Sequence, residues 1–350
     1  MENRKFGFAI IGTGSIASIH AQAISEIKNA TLLGVYSKTK EKASVFAETY
    51  NCKVYDSLDE LLKIDGLDIV CICTPSGAHM QPALKSIEAG KHCLIEKPLE
   101  VNLDKCDKII TAAKLKNVKV AVVYPARFYP VGKEVKVALD SQRFGNLVLG
   151  SAYVKWSRDE KYYASAAWRG TWELDGGGAL MNQAIHSVDM LQWYMGPVES
   201  VQAITGNLKH KDIEVEDTVV AILRFQNGAL GTIECSTAVY PGTYRKIEIM
   251  GTKGTVVIED NSLLQWQFET ETEKDSDIRE IISGNYLSKG GVCNPLDISC
   301  YGHQKQMEDL IDAILMDKDP LVDAVEGRKS VEIVRAIYGS AQSGAVVKFS

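Results

Sequence analysis

From Phe6 to Val123 the chain alternates between short, continuously apolar runs and stretches with helical spacing. The apolar runs are Phe6–Ile11, Thr31–Tyr36, Leu67–Cys73, His92–Ile95 and Val118–Val123. Helical patterns separate them at Ile16–Glu26, Glu41–Tyr50, Ser57–Leu62, Gln81–Ala89 and Leu103–Lys116. Strands that lack polar alternation are those covered on both faces, as in a parallel sheet between helices. The rhythm predicts a doubly wound open α/β sheet.

Past Tyr124 the pattern changes. A strand-like run at Leu147–Trp156 and a long helix near Ala179–Tyr194 come first. Two-sided strands follow at Val198–Gly206, Thr218–Phe225, Ala229–Ser236, Arg245–Gly251, Gly254–Glu259 and Leu263–Phe268. The junctions Gln226-Asn227-Gly228 and Gly251-Thr252-Lys253-Gly254 have hairpin chemistry. Glu269–Glu280 is charged and patternless and reads as an exposed loop. Helical stretches near His303–Met316 and Val325–Ser343 close the chain. The expected organisation is a nucleotide-binding Rossmann domain over residues 1–124 and an α+β domain over 125–350. The second holds an open, largely antiparallel sheet, and the last helices can pack back on the first domain.

A length of 350 residues suits two domains. A net charge of −6 and the lack of any basic run argue against nucleic acid and acidic membrane surfaces as partners. No apolar run approaches membrane-spanning length. The opening MENRKFGFAIIG lacks a signal-peptide core with a cleavage site, so a cytoplasmic location is the default expectation. None of the eight cysteines forms a C-x-x-C pair, and Cys71, Cys73 and Cys93 lie in apolar runs. Buried, reduced thiols are expected.

Between the first strand and the first helix stands Gly12-Thr13-Gly14-Ser15-Ile16-Ala17, a G-x-G-x-x-A loop. Gly12 permits a tight turn, Gly14 lets backbone approach a pyrophosphate, and Ala17 keeps the helix close to the sheet. The helix start offers free N–H groups and a partial positive charge. The strand–loop–helix context makes this a dinucleotide site. At the end of the second strand an acid would hold ribose hydroxyls and mark NAD; Ser37 and Lys38 stand there instead. A hydroxyl beside a cation suits the 2′-phosphate of NADP. Lys38 and Lys42 read equally well as solvated helix-start lysines.

Open α/β sheets present ligand-contacting residues at the C-terminal strand ends. Two such ends stand out: Thr74-Pro75-Ser76-Gly77-Ala78-His79 and Glu96-Lys97-Pro98. Beside a nicotinamide, Lys97 could deprotonate or polarise an alcohol, or it could simply pair with Glu96. His79 could line the cofactor crevice. In the second domain Asp175-Gly176-Gly177-Gly178 leads into a helix with two stripes. Met181, Ile185, Val188 and Leu191 form the apolar one. Asn182, His186, Asp189 and Trp193 form a polar one, on which His186 could relay a proton. The alternative is a core histidine bonded to Asp189. His20 reads as packing, and His92 and His210 as structural or exposed. No two histidines have metal-ligand spacing, so no metal is expected.

In this order, Gly12–Ala17, Thr74-Pro75, Glu96-Lys97-Pro98, Arg127-Phe128 and Gly176–His186 resemble the Gfo/Idh/MocA oxidoreductases over essentially the whole chain. The resemblance implies hydride transfer at a sugar or cyclitol carbon, with Lys97 and His186 as the proton-handling pair. It places Thr74, Pro75, His79, Glu96 and Lys97 at the cofactor, joined by Arg127, Trp168 and Arg169. It also implies homodimers or homotetramers packed through the C-terminal sheet. Two departures bear on an inositol-dehydrogenase-like triad. Many members have aspartate where this chain has Asn182, and several have glutamine where it has Pro125. Tyr153–Trp156, Tyr162-Tyr163 and Trp168–Trp172, followed by Gly176–Gln183, are closer to the WlbA-type branch. That branch oxidises C3 of UDP-N-acetylglucosaminuronate with NAD. On this likeness Lys155, Arg158, Tyr163 and Arg169 meet the anionic sugar, together with Lys97, Asn182 and His186. Inositol or free-sugar dehydrogenases, redox-assisted glycosidases and non-catalytic NAD(P)-sensing proteins are the other readings on this fold.

Overall fold

The computed structural model describes residues 4–283 and 299–349. In chain order the first elements are β1 (Phe6–Ile11), α1 (Ser15–Ser25), β2 (Ala30–Tyr36), α2 (Lys40–Tyr50), β3 (Lys53–Val54) and α3 (Leu58–Leu61). Then come β4 (Leu67–Ile72), α4 (Met80–Glu88), β5 (His92–Ile95), α5 (Leu103–Lys116), β6 (Val120–Val122) and α6 (Pro130–Asp140). The middle of the chain gives β7 (Leu147–Lys155), α7 (Glu160–Ala164), α8 (Ile185–Met195), β8 (Val198–Gly206), β9 (Thr218–Phe225) and β10 (Leu230–Ser236). The rest is β11 (Lys246–Gly251), β12 (Gly254–Glu259), β13 (Ser262–Phe268), α9 (Lys274–Ser283), α10 (Tyr301–Met316), α11 (Ala324–Ser343) and β14 (Val347–Lys348).

These elements form two compact units. One comprises Met1–Pro125 with Cys300–Val331; the other comprises Ala126–Ser299 with Glu332–Ser350. The first unit holds a six-stranded sheet in the order β3-β2-β1-β4-β5-β6, with all pairings parallel. This is the Rossmann order, whose direction reverses between β1 and β4. Every residue of β1 is buried, which explains its unbroken apolar run. Asn102 caps α5 by accepting from the Lys105 N–H at 3.0 Å, and Asn51 and Asn117 end α2 and α5 in left-handed conformations. Met307, Leu310 and Ile311 of α10 join the core formed by Phe6, Phe8, Ile10 and Ile24. Burying such side chains stabilises by about 1.5–3 kcal/mol each.

The second unit holds an eight-stranded sheet in the order β13-β12-β11-β7-β10-β9-β8-β14. Only the central β7–β10 pair is parallel. Along β9, Val219, Ala221, Leu223 and Phe225 point inward while Val220, Ile222 and Arg224 are exposed. Helix α8 covers the inner face so closely that a Cβ at Gly150 would lie 2.6 Å from Met195.

One expectation is corrected. Within Glu269–Glu280, read as a loop, helix α9 begins at Lys274. Its start is set by a tertiary contact rather than by local periodicity. Buried Asp275 accepts two hydrogen bonds from Arg143 (2.8 and 2.7 Å) and one from Trp266 Nε1 (2.6 Å). Seven cysteines are free thiols, five of them buried; Cys293 lies outside the described residues. Among the described residues no helix is long and apolar enough to cross a membrane.

Candidate active site

In the first unit the candidate residues collect at the C-terminal ends of β1, β2, β4 and β5. Gly12 has φ +99°, and a Cβ there would lie 2.6 Å from the Cys73 carbonyl oxygen. A Cβ at Gly14 would meet nothing within 4 Å, so open space faces the loop at that point. Helix α1 then starts with no side-chain cap and no acid in its first turn. Its leading N–H groups are available to an anion, and the loop with Ser15 and Ile16 fits a dinucleotide diphosphate. Thr13 Oγ1 donates to Ser37 Oγ at 3.1 Å, tying the loop to the end of β2. Lys38 and Lys42 are exposed.

At the end of β4, Thr74 Oγ1 donates to the Ala78 carbonyl at 3.0 Å. Pro75 precedes a short 3₁₀ turn, Ser76–Ala78. Buried His79 lies between two carbonyl oxygens, Pro98 O at 2.8 Å from Nδ1 and Thr74 O at 2.9 Å from Nε2. It therefore ties the Thr74-Pro75 rim to the Lys97-Pro98 rim. Burial pulls its proton affinity down, against those two carbonyls and the nearby Glu100 carboxylate.

Lys97 follows β5 and is half-buried. The Glu96 carboxylate is turned into the protein. Its Oε1 contacts His20 Nε2 at 2.7 Å, with His303 Nε2 at 3.8 Å, and its Oε2 accepts from the Lys97 backbone N–H at 3.2 Å. Burial alone would raise the Glu96 carboxyl, but the two imidazoles outweigh it and hold the group well below its ordinary range. The donor atoms of His20, Glu96 and His303 lie within 4.8 Å of one another, a set that could hold a metal ion. Local sequence spacing could not show this trio, because its members lie on α1, just after β5, and on α10. A 2.7 Å His20–Glu96 contact is hydrogen-bond distance, and Nδ1 of both imidazoles is buried without a partner among the described residues. Ligating histidines are ordinarily fixed through that second nitrogen. The geometry is that of a hydrogen-bonded clamp.

In the second unit the glycine run is dictated by close approach. A Cβ at Gly178 would lie 1.7 Å from the Glu216 carbonyl oxygen, and one at Gly177 would lie 2.1 Å from Tyr338 Oη. The expected single helix is in fact a π-helical turn, Ala179–Ala184, followed by α8. Glu216 pins the start of the turn. Its carboxylate accepts from the Gly178 N–H (2.8 Å), the Leu180 N–H (2.9 Å) and Tyr338 Oη (3.0 Å). Burial outweighs these three donors and pushes its pKa up to about 7. Met181, Ile185, Val188 and Leu191 are buried, while Asn182, Gln183 and His186 are half-exposed. Asp189 is buried in a two-bond pair with buried Arg127, at 2.8 and 2.7 Å, and Arg127 lies over the Trp193 ring.

Around Asn182 the unit gathers several residues singled out from the sequence. Asp159 caps α7 by accepting from the Tyr162 N–H at 2.9 Å and so sets the two tyrosines. Tyr162 Oη accepts from Arg169 Nη1 (2.5 Å) and from Gln183 Nε2 (2.6 Å). Buried Arg158 donates to Gln183 Oε1 at 3.1 Å and faces the Trp156 and Tyr162 rings. Burial lowers its proton affinity. The Arg169 guanidinium lies over the Trp168 and Tyr162 rings. Tyr163 bonds Thr237 at 2.8 Å, beside His210, which is buried. Lys155 pairs with Glu234 at 2.6 Å.

Comparison with known proteins agrees with both units. Residues 6–124 match an oxidoreductase family with an NAD-binding Rossmann fold, and residues 133–257 match the GFO/IDH/MocA C-terminal domain. The chain belongs to the Gfo/Idh/MocA family. It is thus an NAD-dependent oxidoreductase. It is 32% identical to oxidoreductase P35 of Formosa agariphila, covering 65% of this chain and 71% of that protein. It is 30% identical to the myo-inositol 2-dehydrogenase of Thermotoga maritima, covering 72% and 74%. The crystal structure of the WlbA dehydrogenase from Bordetella pertussis, solved with NADH and UDP-GlcNAcA, superposes with a TM-score of 0.90. That pair is 32% identical and covers 100% of this chain and 99% of the other.

Within this Gfo/Idh/MocA chain, sequence reasoning passed over Asp175, Glu216, Tyr338 and His303 as site-building residues. Asp175 was visible as the residue before the glycines. The others reach the site only through tertiary contacts.

Proposed function

We propose that the protein is a dehydrogenase that uses NAD⁺ to oxidise C3 of a nucleotide-linked uronate of the UDP-N-acetylglucosaminuronate type. The observation that carries this reading is the Arg158–Gln183–Tyr162–Arg169 cluster beside Asn182. Two guanidinium groups on aromatic faces suit a carboxylate or a diphosphate. Likeness to the WlbA dehydrogenase along the entire chain supports the same choice. An inositol substrate, as in the Thermotoga relative, offers no anion for those arginines.

Bound NAD⁺ supplies the hydride acceptor. The Gly12–Ile16 loop and the α1 N-terminus hold its diphosphate. Lys97 and His186 are the proton-handling pair, and one of the two takes the proton of the C3 hydroxyl as the C3 hydride departs. Arg158 and Arg169 bind the anionic end of the substrate, and Asn182 orients the ring. Ser37 puts no negative charge at the end of β2, so NADP⁺ is tolerated as well. The exposed apolar side chains Ile204, Val220 and Ile222 on the outer face of the eight-stranded sheet support pairing with a second copy of the chain.

The test is an absorbance assay for reduced nicotinamide with NAD⁺ and NADP⁺ against nucleotide uronates, free aldoses and inositols. Activity confined to free cyclitols rejects the nucleotide-sugar reading. Turnover without net NADH points instead to a redox-assisted lyase or glycosidase.

A further inference from the structure

We propose that Asp175 is the carboxylate of this site. It is a positioning residue that orients Asn182 and sets a negative charge beside the turn that leads into α8, the helix carrying His186. The proposal rests on the reading of His186 as a proton-handling residue. At position 182 the helix offers a neutral amide, which has no charge with which to favour an imidazolium. The fold provides an acid seven residues earlier, on the loop before the glycines. Asp175 is 2% exposed, and its Oδ1 accepts from Asn182 Nδ2 at 2.5 Å. Its Oδ2 accepts from the Gly170 N–H at 2.9 Å. Asn182 Oδ1 in turn accepts from Gln183 Nε2 at 3.0 Å.

These contacts fix the orientation of the amide. A flipped Asn182 would set its oxygen against the Asp175 carboxylate and its NH₂ against the Gln183 donor. The chain of bonds then continues from Gln183 to Tyr162 at 2.6 Å and from Tyr162 to Arg169 at 2.5 Å. Gln183 also meets Arg158 at 3.1 Å. Asp175 therefore anchors the network that presents both arginines. A buried carboxylate is retained where its charge is hydrogen-bonded, and it favours a cation that forms nearby.

The hydrogen bonds also define a swap. In the double variant Asp175→Asn with Asn182→Asp, the new amide oxygen accepts from Gly170 and its NH₂ donates to the new carboxylate. That carboxylate still accepts from Gln183. Each single variant breaks the pattern: D175N sets two amides together without charge, and N182D sets two carboxylates 2.5 Å apart.

The experiment measures kcat and KM with UDP-GlcNAcA and NAD⁺ for D175N, N182D, the swap and His186→Ala. NADH-fluorescence titration and thermal midpoint report folding. D175N is expected to lower kcat roughly 100-fold with a smaller change in KM, because orientation and charge act on the reacting state. The swap is expected to recover about tenfold or more over D175N, as a restored hydrogen-bonded charge should. D175N with wild-type kcat, or a folded, NADH-binding swap no faster than D175N, overturns the proposal. A His186→Ala enzyme with normal turnover overturns the underlying reading of His186 instead.

Discussion

His20 Nε2 lies 2.7 Å from Glu96 Oε1, both groups being buried, one residue before Lys97 in the chain. Burial lowers the His20 pKa from its ordinary 6.5, so the fold favours the neutral ring. Below about pH 6.5 the unfolded chain takes up a proton that the folded chain does not, and stability falls with pH. The depressed Glu96 carboxyl acts with the same sign at lower pH. Its contribution is present above its ordinary 4.5 and is lost as pH drops through its folded value. The expected outcome is a His20-dependent decline in the urea midpoint between about pH 7.5 and about pH 5.5. His20→Asn should flatten that decline; an unchanged slope in the variant refutes the assignment.

Lys97→Ala should cut kcat by roughly 10²–10⁴-fold, the range of a lost acid–base group. With the cofactor held by the Gly12–Ile16 loop as proposed, NADH affinity should change little. Steady-state kinetics beside fluorescence titration separates the two effects, and near-normal turnover removes Lys97 from the chemistry.

The proposed tolerance of NADP⁺ rests on one side chain, Ser37. Ser37 Oγ accepts from Thr13 Oγ1 and, at 3.3 Å, from the Thr39 N–H, so it already sits where a ribose-binding acid would stand. Ser37→Asp should raise the ratio of kcat/KM for NAD⁺ over NADP⁺ by roughly tenfold or more, through ribose hydrogen bonds gained and 2′-phosphate repelled. An unchanged ratio would mean that the adenosine ribose is read elsewhere.

Tyr338→Phe leaves buried Glu216 one donor short. The expected destabilisation is about 1–3 kcal/mol. Its pH dependence has the opposite sign to that of Glu96. Glu216 titrates at about 7 in the fold against an ordinary 4.5, so its protonated form stabilises. That stability is complete below 4.5 and is lost as pH rises through about 7. Losing the phenol hydroxyl hurts the ionised form most, so the deficit should grow from about pH 5.5 to about pH 8.5. Denaturant titrations at both pH values check this, and a deficit that shrinks with pH contradicts it.

The nucleotide-binding half was legible because its signals are local. The apolar run of β1, the glycines of the loop and the helix after them lie within twenty residues of one another. The second half was legible in its strands and hairpins. It was less so where distant residues decide local structure. Asp275 starts α9 through Arg143 and Trp266, and Glu216 pins the π turn before α8. The spacing puts Asn182, His186, Asp189 and Trp193 on one polar face, with a core histidine bonded to Asp189 as the alternative; in the fold Asp189 is buried against Arg127. The absence of an acid at 182 was visible; the acid that meets it was not, because the loop bearing Asp175 folds back on the turn.

The first unit is discontinuous, Met1–Pro125 completed by Cys300–Val331. Gln306 shows what the late piece contributes: its side-chain oxygen accepts from the Tyr124 N–H at 3.0 Å, and its NH₂ donates at 2.5 Å to the carbonyl of Val122 in β6. A ribosome makes the Gly12–Ile16 loop long before it makes Met307, Leu310 and Ile311. Until those residues emerge, the six-stranded sheet of the nascent chain lacks part of its apolar cover. The eight-stranded unit likewise waits for Tyr338 and β14, which follow those residues in the chain.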